Sequence, residues 1–391
     1  MRTVAEDEIS KLIEETGAFD CVECGKCTSV CPAAVYDTEF APRLIVVKAQ
    51  EGIKDDPMTK KNIWVCLTCE MCNSMCPYKV NYTGFIQGLR SMYFRRGEVP
   101  ICSQGGLVHT MQRLMAKEDL KQNRLGWVDD DIKISKDKGE VLLFTGCAYQ
   151  LGTIFDDRAA FLRDVPKSAV KILNAAGVTP VVLEDEVCCG HDLLWVGDED
   201  SFLKLMDKNI ERIKATGVKK VVFTCPECFR TFDVDYQDFS EDLPFEMVHI
   251  SEFVKDAIDD GKLKLRNIDK KVTYHDSCRL GKHMGIYDPP REVLSAVPGL
   301  EMIEMERSRE KATCCGVNAW ANCEENGKKM QIDRLKEAKG TGAESMLTFC
   351  PKCEIHFRCA THNKVPVPIE DVDIEVEDFT NLIAKALEDG E

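Results

Sequence analysis

Cysteine placement constrains this chain more than any other feature. The stretch CVECGKCTSVCP sets Cys21, Cys24, Cys27 and Cys31 ahead of Pro32, and CLTCEMCNSMCP repeats the spacing with Cys66, Cys69, Cys72 and Cys76 ahead of Pro77. Such a run wraps backbone around three corners of a compact inorganic core and aims amide N–H groups at its sulfurs. Zinc is the competing occupant, but structural zinc is usually held by paired C-x2-C knuckles.

The chain has 391 residues, 21 of them cysteine, and a net charge of -16. It opens MRTVAEDEIS, without the basic and apolar regions of a secretory signal. In a reducing cytoplasm that many thiols read as metal ligands rather than disulfides. No apolar run approaches the roughly 18 residues of a membrane span, so any peripheral association with the cytoplasmic face of a membrane is expected to come through a partner. The acidic balance argues against nucleic acid, whose phosphates need clustered Lys and Arg. An anionic substrate would need a local basic pocket.

The second half of the chain is an internal repeat. Its first copy carries Cys147, the adjacent pair Cys188 and Cys189 before Gly190, and the CPEC pair Cys225 and Cys228. The second carries Cys278, then Cys314 and Cys315 before Gly316, then the CPKC pair Cys350 and Cys353, between 125 and 131 residues further on. The tails HISEFVKDAIDDG and VEDFTNLIAKALEDG align through Phe253 and Phe379. Apolar runs of strand length (VLLF, VVFT, KVTYH, SMLTF) precede the cysteines, and helical stretches ending in glycine lie between them. That alternation predicts a parallel sheet in each copy, with ligands on the loops at the carboxyl ends of the strands and the two copies facing each other through those loops. PRLIVVKAQEG predicts a helix between the two four-cysteine motifs, and residues 84 to 126 read as helical and mixed.

The N-terminal motifs resemble the two-cluster bacterial ferredoxins, with the longer spacing of the helical ferredoxin modules of respiratory complexes. The resemblance implies one 4Fe-4S cubane on Cys21, Cys24, Cys27 and Cys76 and a second on Cys66, Cys69, Cys72 and Cys31. The repeated half resembles the cysteine-rich CCG domain pair of heterodisulfide reductases, and the whole chain resembles the D subunits of that family, in which both parts are fused. That resemblance implies a noncubane 4Fe-4S cluster in each copy, held by Cys147, Cys188, Cys189, Cys225 and Cys228, and by Cys278, Cys314, Cys315, Cys350 and Cys353. An ordinary cubane, zinc or a vicinal disulfide are the alternatives there. Cys102, Cys323 and Cys359 fall outside every pattern and are expected to be buried as small apolar residues.

The expected class is α+β and multidomain: a helical double-cluster ferredoxin domain over 1–100, a helical linker over 101–138, and α/β CCG domains over 139–265 and 266–391. No G-x-G-x-x-G motif follows a predicted strand, so no nucleotide or flavin fold is expected. The family reaction is reduction of the coenzyme M–coenzyme B disulfide to two thiols. His191, His275 and His283 are candidates for proton handling, and Arg230, Arg279 and Lys282 for holding a sulfonate or phosphate. The bland alternative is that these groups orient loops or face solvent. A different class of function, the iron–sulfur electron-transfer subunit of a flavin-dependent glycolate, lactate or glycerol-3-phosphate dehydrogenase or of a sulfur-metabolism complex, shares the architecture. The complete CPEC and CPKC pairs favour chemistry at the clusters. The expected partners are electron-donating: a membrane cytochrome b subunit, or a flavin, hydrogenase or formate dehydrogenase assembly.

Overall fold

A computed structural model describes residues 6–52, 57–117, 120–240, 243–321, 323–362 and 371–388. The chain divides into two compact units. The first joins Met1–Lys117 to two distant segments, Gly190–Leu203 and Thr313–Gln331, and the second holds Glu118–Cys189, Lys204–Ala312 and Ile332–Glu391. Each of the two distant segments begins just beside a Cys-Cys pair, so the units cut across the order expected from sequence.

The first unit is built largely from helices. Pro32 and Pro42 open the helices Pro32–Tyr36 and Pro42–Gln50, where a missing N–H costs nothing and a fixed φ suits the first turn. The second of these is the helix expected between the motifs. Helices Pro57–Val65 and Tyr82–Arg95 flank the second motif, and Ile45, Val46, Ile63, Phe85, Ile86 and Leu89 form the buried apolar core around them. The expected helical linker is shorter than its sequence suggests. The helix Leu107–Lys117 is followed, among the described residues to Glu140, by turns and extended chain. There Ser135 donates to Pro180 O (2.8 Å), and Val182 N donates back to Ser135 O (2.9 Å), so the strand-like stretch is paired rather than wound into a helix.

The second unit carries two parallel sheets. The first runs β1 (Val141–Phe144), β2 (Lys220–Phe223), β3 (Glu246–His249) in that spatial order. The second contains β4 (Lys270–Tyr274), β5 (Leu300–Met302), β6 (Ser345–Thr348) and β7 (Glu375–Asp378), ordered β5-β4-β6-β7. Strands β1, β2 and β6 are buried for nearly their whole length, as expected of parallel strands covered on both faces, and so read as continuous apolar runs. β3, β5 and β7 carry exposed or half-exposed ends and lack that signature. Cys147, Cys225, Cys278 and Cys350 follow β1, β2, β4 and β6 within a few residues, at the carboxyl ends of the strands.

The repeat register differs from the one read through Phe253 and Phe379. β3 ends at His249 and β7 at Asp378; each of those residues caps the next helix with its side chain, so Phe379 corresponds to Ile250. Matching the two phenylalanines displaces the alignment by three residues, within one helical turn. Aromatic rings fill the space behind each sheet: Phe232 lies 4.8 Å from Phe144 and 4.2 Å from Tyr236, and Phe349 stacks on Phe379 at 4.2 Å. His249 meets Phe349 edge-on at 4.6 Å, so the copies pack together within this unit.

Candidate metal centres

The two ferredoxin-type motifs share an unusual backbone. Glu23 and Gly25 in the first, and Thr68 and Glu70 at the same places in the second, all have positive φ. Three of these four are not glycine, so the turn around each middle cysteine is held against a local cost of about 1 kcal/mol per residue. The turns point amides at sulfur: Thr68 N lies 3.3 Å from Cys66 Sγ, and Val80 N lies 3.4 Å from Cys76 Sγ.

Cys21, Cys24, Cys27 and Cys76 line one cavity together with Cys72 and Tyr82. The Tyr82 hydroxyl is buried and makes no hydrogen bond among the described residues. An unsatisfied buried donor facing a nest of thiols fits an inorganic group with sulfide acceptors. Cys31 lies with Cys66 and Cys69: burial, reinforced by those two neighbours, pushes its thiol well above the ordinary range. Burial and the neighbours Cys66, Cys69 and Cys31 act on Cys72 in the same direction. Held as thiolates, these four would need positive metal charge beside them.

In the first copy all five cysteines belong to the second unit. Cys147 Sγ is 3.7 Å from Cys188 Sγ, and Cys228 Sγ is 3.5 Å from Cys189 Sγ. Hydrogen bonds to Cys189 and Cys225, with burial behind them, push the Cys228 thiol well up. The backbone of the pair is gripped from below. Asn209 donates to Cys188 O (3.0 Å), Tyr236 donates to Cys189 O (3.0 Å), and Asn209 and Tyr236 bond each other at 3.2 Å. Tyr236 arrives there through a π-type turn, Thr231–Asp235, after the helix Pro226–Arg230 that holds the CPEC cysteines. Glu186 is fully buried and accepts from Thr145 N and Oγ1, both at 2.9 Å, and from Arg124, tying the β1 end to the Cys188 loop.

The second copy divides between the units. Cys278, Cys350 and Cys353 belong to the second, whereas Cys314 and Cys315 lie buried at the start of the Thr313–Gln331 segment of the first. A hydrogen bond from Cys353 favours the Cys350 thiolate, but burial, with Glu227 and Cys225 in range, carries the thiol up overall. Gly190 and Gly316 have φ of 84° and 78°. A Cβ at Gly316 would stand 2.5 Å from Gly327 O, so the position excludes any side chain.

The candidate polar residues each have protein partners. His191 contacts Asp192 Oδ1 at 3.4 Å, and Gln112 donates to Asp192 Oδ2 at 2.9 Å. Arg230 pairs with Asp235. Arg334 Nε donates to His275 Nδ1 (3.1 Å), which assigns the His275 proton to Nε2; burial, then the Arg334 and Lys282 charges, hold this ring well below the usual histidine range. Arg279 Nη1 lies 2.6 Å from His283 Nε2, and Lys282 donates to Ala312 O at 2.5 Å. Arg291 grips Asp276 with two bonds, at 2.8 and 2.9 Å, and anchors the Cys278 loop. Sequence reasoning missed Asn209, Tyr236, Arg124 and Arg291, which belong to no motif; Glu186, two residues before Cys188, was visible in EVCCG. Of the cysteines outside the patterns, Cys359 is buried as expected, beside Arg158 (3.4 Å). Cys102 and Cys323 are half-exposed instead, because both sit in irregular chain rather than in a helix core.

A helical module with two four-cysteine motifs, followed by duplicated parallel α/β domains with five cysteines each, defines an iron–sulfur oxidoreductase. Residues 17–80 match the 4Fe-4S dicluster domain, and residues 141–233 and 272–358 match the cysteine-rich domain. The chain is 32% identical to the D subunit of the dihydromethanophenazine:CoB–CoM heterodisulfide reductase of Methanosarcina mazei, over 94% of this chain and 93% of that one. With the corresponding protein of Methanosarcina acetivorans the identity is 35%, over 79% and 74%. The chain belongs to the family of heterodisulfide reductase D subunits. It is also 27% identical to the B subunit of the fumarate reductase (CoM/CoB) of Methanothermobacter marburgensis, over 86% of this chain and 67% of that one. A hypothetical protein from Helicobacter pylori shares the fold, with a TM-score of 0.58 at 11% identity over 99% of this chain and 77% of that one. Among the described residues no helix is long and apolar enough to cross a membrane.

Proposed function

We propose that this chain reduces the coenzyme M–coenzyme B heterodisulfide to two thiols, as the iron–sulfur subunit of a larger assembly. The observation that carries the reading is the complete five-cysteine set in both copies, with the first set gathered thiol to thiol as closely as 3.5 Å. The reaction converts R–S–S–R′, two electrons and two protons into R–SH and R′–SH. Two cubanes on Cys21/Cys24/Cys27/Cys76 and Cys31/Cys66/Cys69/Cys72, with one noncubane 4Fe-4S cluster in each CCG copy, would supply single electrons and iron that can hold a sulfur.

The chain's own groups supply position, charge and protons. His275, neutral and held at Nδ1 by Arg334, carries its proton on Nε2. His283 accepts from Arg279 at Nε2 and so keeps its proton on Nδ1, a buried atom, as the candidate donor to a product thiolate. Arg279 and Lys282 supply the local cations an anionic substrate needs against a net charge of -16. The electron donor is a partner protein: a membrane cytochrome b subunit, or a flavin, hydrogenase or formate dehydrogenase assembly. The word "subunit" in the relatives' names supports an assembly of this kind.

The test is turnover by protein loaded with about 16 irons per chain and no stoichiometric zinc. With reduced viologen and the heterodisulfide, two thiols should appear for every two viologens oxidised. Fully loaded protein that releases no thiol, or a co-purifying flavoprotein that oxidises a hydroxy acid through this chain, would overturn the reading.

A further inference from the structure

Arg90 lies in the helix Tyr82–Arg95 and is almost completely buried, at 2% exposure. Its guanidinium serves two stretches at once. On one side it donates to Ile63 O (2.9 Å), Trp64 O (3.4 Å) and Cys66 O (2.6 Å), and it lies over the Trp64 ring at 5.5 Å. On the other it donates to Trp195 O at 2.9 Å. Trp195 closes the helix His191–Trp195, which follows Cys189 through Gly190 alone. The backbone approach is equally close: Gly197 has φ of 91°, and a Cβ there would lie 2.5 Å from Arg90 O. Gln112 to Asp192 (2.9 Å) and Arg113 to Asp198 (2.5 Å) fasten the same segment.

The segment that follows Cys315 is held differently. Ser103 N donates to Trp320 O (2.7 Å), and His109 Nε2 lies 2.8 Å from Ala319 O. A pocket of about 440 Å3, lined by Trp64 and Leu67 and by Gly316 and Asn318, separates it from the Cys66 loop.

We propose that Arg90 is a positioning residue that joins the second ferredoxin site to the first CCG copy, fixing the Cys66 peptide and the segment after Cys189 on one guanidinium while raising the reduction potential of the centre that Cys66 holds. The inference rests on the cluster assignments of the proposed function. A fixed cation in a buried, low-dielectric site favours the form of the centre that carries one more electron. The planar fork is needed as well as the charge, because a single ammonium has no rigid geometry for two carbonyls on different segments. Electrons pass singly, with no bond made or broken, and Arg90 sets both the potential at which the Cys66 centre holds each one and the backbone that runs from Trp195 back to Cys189. The reductant is the electron donor of the assembly.

The test compares the full chain with R90M and R90K by EPR-monitored redox titration and rapid freeze-quench. R90M should shift the midpoint of one cubane to a more negative potential and leave the other in place. R90K should keep that midpoint near wild type but slow reduction of the first CCG centre at least tenfold. Unmoved cubane midpoints in R90M, or wild-type transfer in R90K, would overturn the role of Arg90. If R90M fails to load its cubanes, R90K decides the question alone. Wild-type protein with both cubane signals but no CCG signal would overturn the cluster assignments instead, and the R90M titration of the cubanes would still test Arg90.

Discussion

Asn209 and Tyr236 show how much of a cysteine site is made by residues outside the cysteine motifs. The vicinal thiols project in a useful direction because the carbonyls behind them are tied down, Cys188 O by Asn209 and Cys189 O by Tyr236. Removing one such hydrogen bond in a buried network typically costs about 1 to 2 kcal/mol. Tyr236→Phe is expected to lower stability by about that amount in denaturant melts while iron content holds. Asn209→Leu removes the support of both residues and, under the proposed four-cluster loading, is expected to lose about four of some 16 irons by metal analysis. Iron retained in full by Asn209→Leu would show that the network is dispensable. The positive φ of Glu23, Thr68 and Glu70 belongs to the same scale. Nothing in those residue types announces it, because the cost is accepted for the sake of the cysteine between them.

At the scale of elements, the two repeat copies use one junction with different chemistry. His249 caps the helix Ile250–Asp259, its Nδ1 accepting from Ser251 N at 3.3 Å, and burial pushes its pKa down to about 3. An unfolded histidine titrates near 6.5, so between those values the unfolded chain binds the extra proton. The stability contributed by the neutral ring is therefore full above about pH 6.5 and is lost as pH falls toward about 3, by roughly 5 kcal/mol at the limit. His249→Asn keeps a capping acceptor and removes the titration. Its thermal midpoint should fall less steeply than wild type between about pH 6.5 and 4; parallel curves would contradict the assignment. Gly316→Ala tests the other shared element. The new Cβ would stand 2.5 Å from Gly327 O with φ of 78°, so the variant is expected to lose iron from the second copy. Gly340→Ala, with open space around it, should retain all iron and serves as the control.

Across the whole second unit, the two CPxC motifs are joined by one ion pair. Glu227, from CPEC, and Lys352, from CPKC, meet at 2.8 Å with both side chains largely buried. The repeat placed an acid and a base at the same position, and they neutralise each other. Removing one partner of a buried pair costs about 3 to 5 kcal/mol, because the other charge is stranded. Lys352→Met is expected to destabilise the protein by about that amount, and the exchange Glu227→Lys with Lys352→Glu should recover most of it. A double variant no better than the single would show that the site reads each charge separately.

Much of this architecture was legible in the cysteines and the apolar runs. Thiols that share a metal site must recur at short, fixed spacings, and strands buried on both faces must be apolar throughout, so both leave a local pattern. The edge strands β3, β5 and β7 escaped because their exposed ends dilute that pattern, and the linker helix was extended too far past Lys117 because turn formers such as Asn123 and Gly126 were outweighed by their neighbours. The sequence by itself determined which thiols exist in sets, that the sets are duplicated, and which strands deliver them. Only the tertiary structure decided that the segments after both Cys-Cys pairs pack with the N-terminal helices, that Arg90 spans Cys66 and Trp195, and that Glu227 meets Lys352. Those choices join residues about a hundred positions apart through buried charge and backbone carbonyls, and a contact of that range depends on the whole fold rather than on any local spacing.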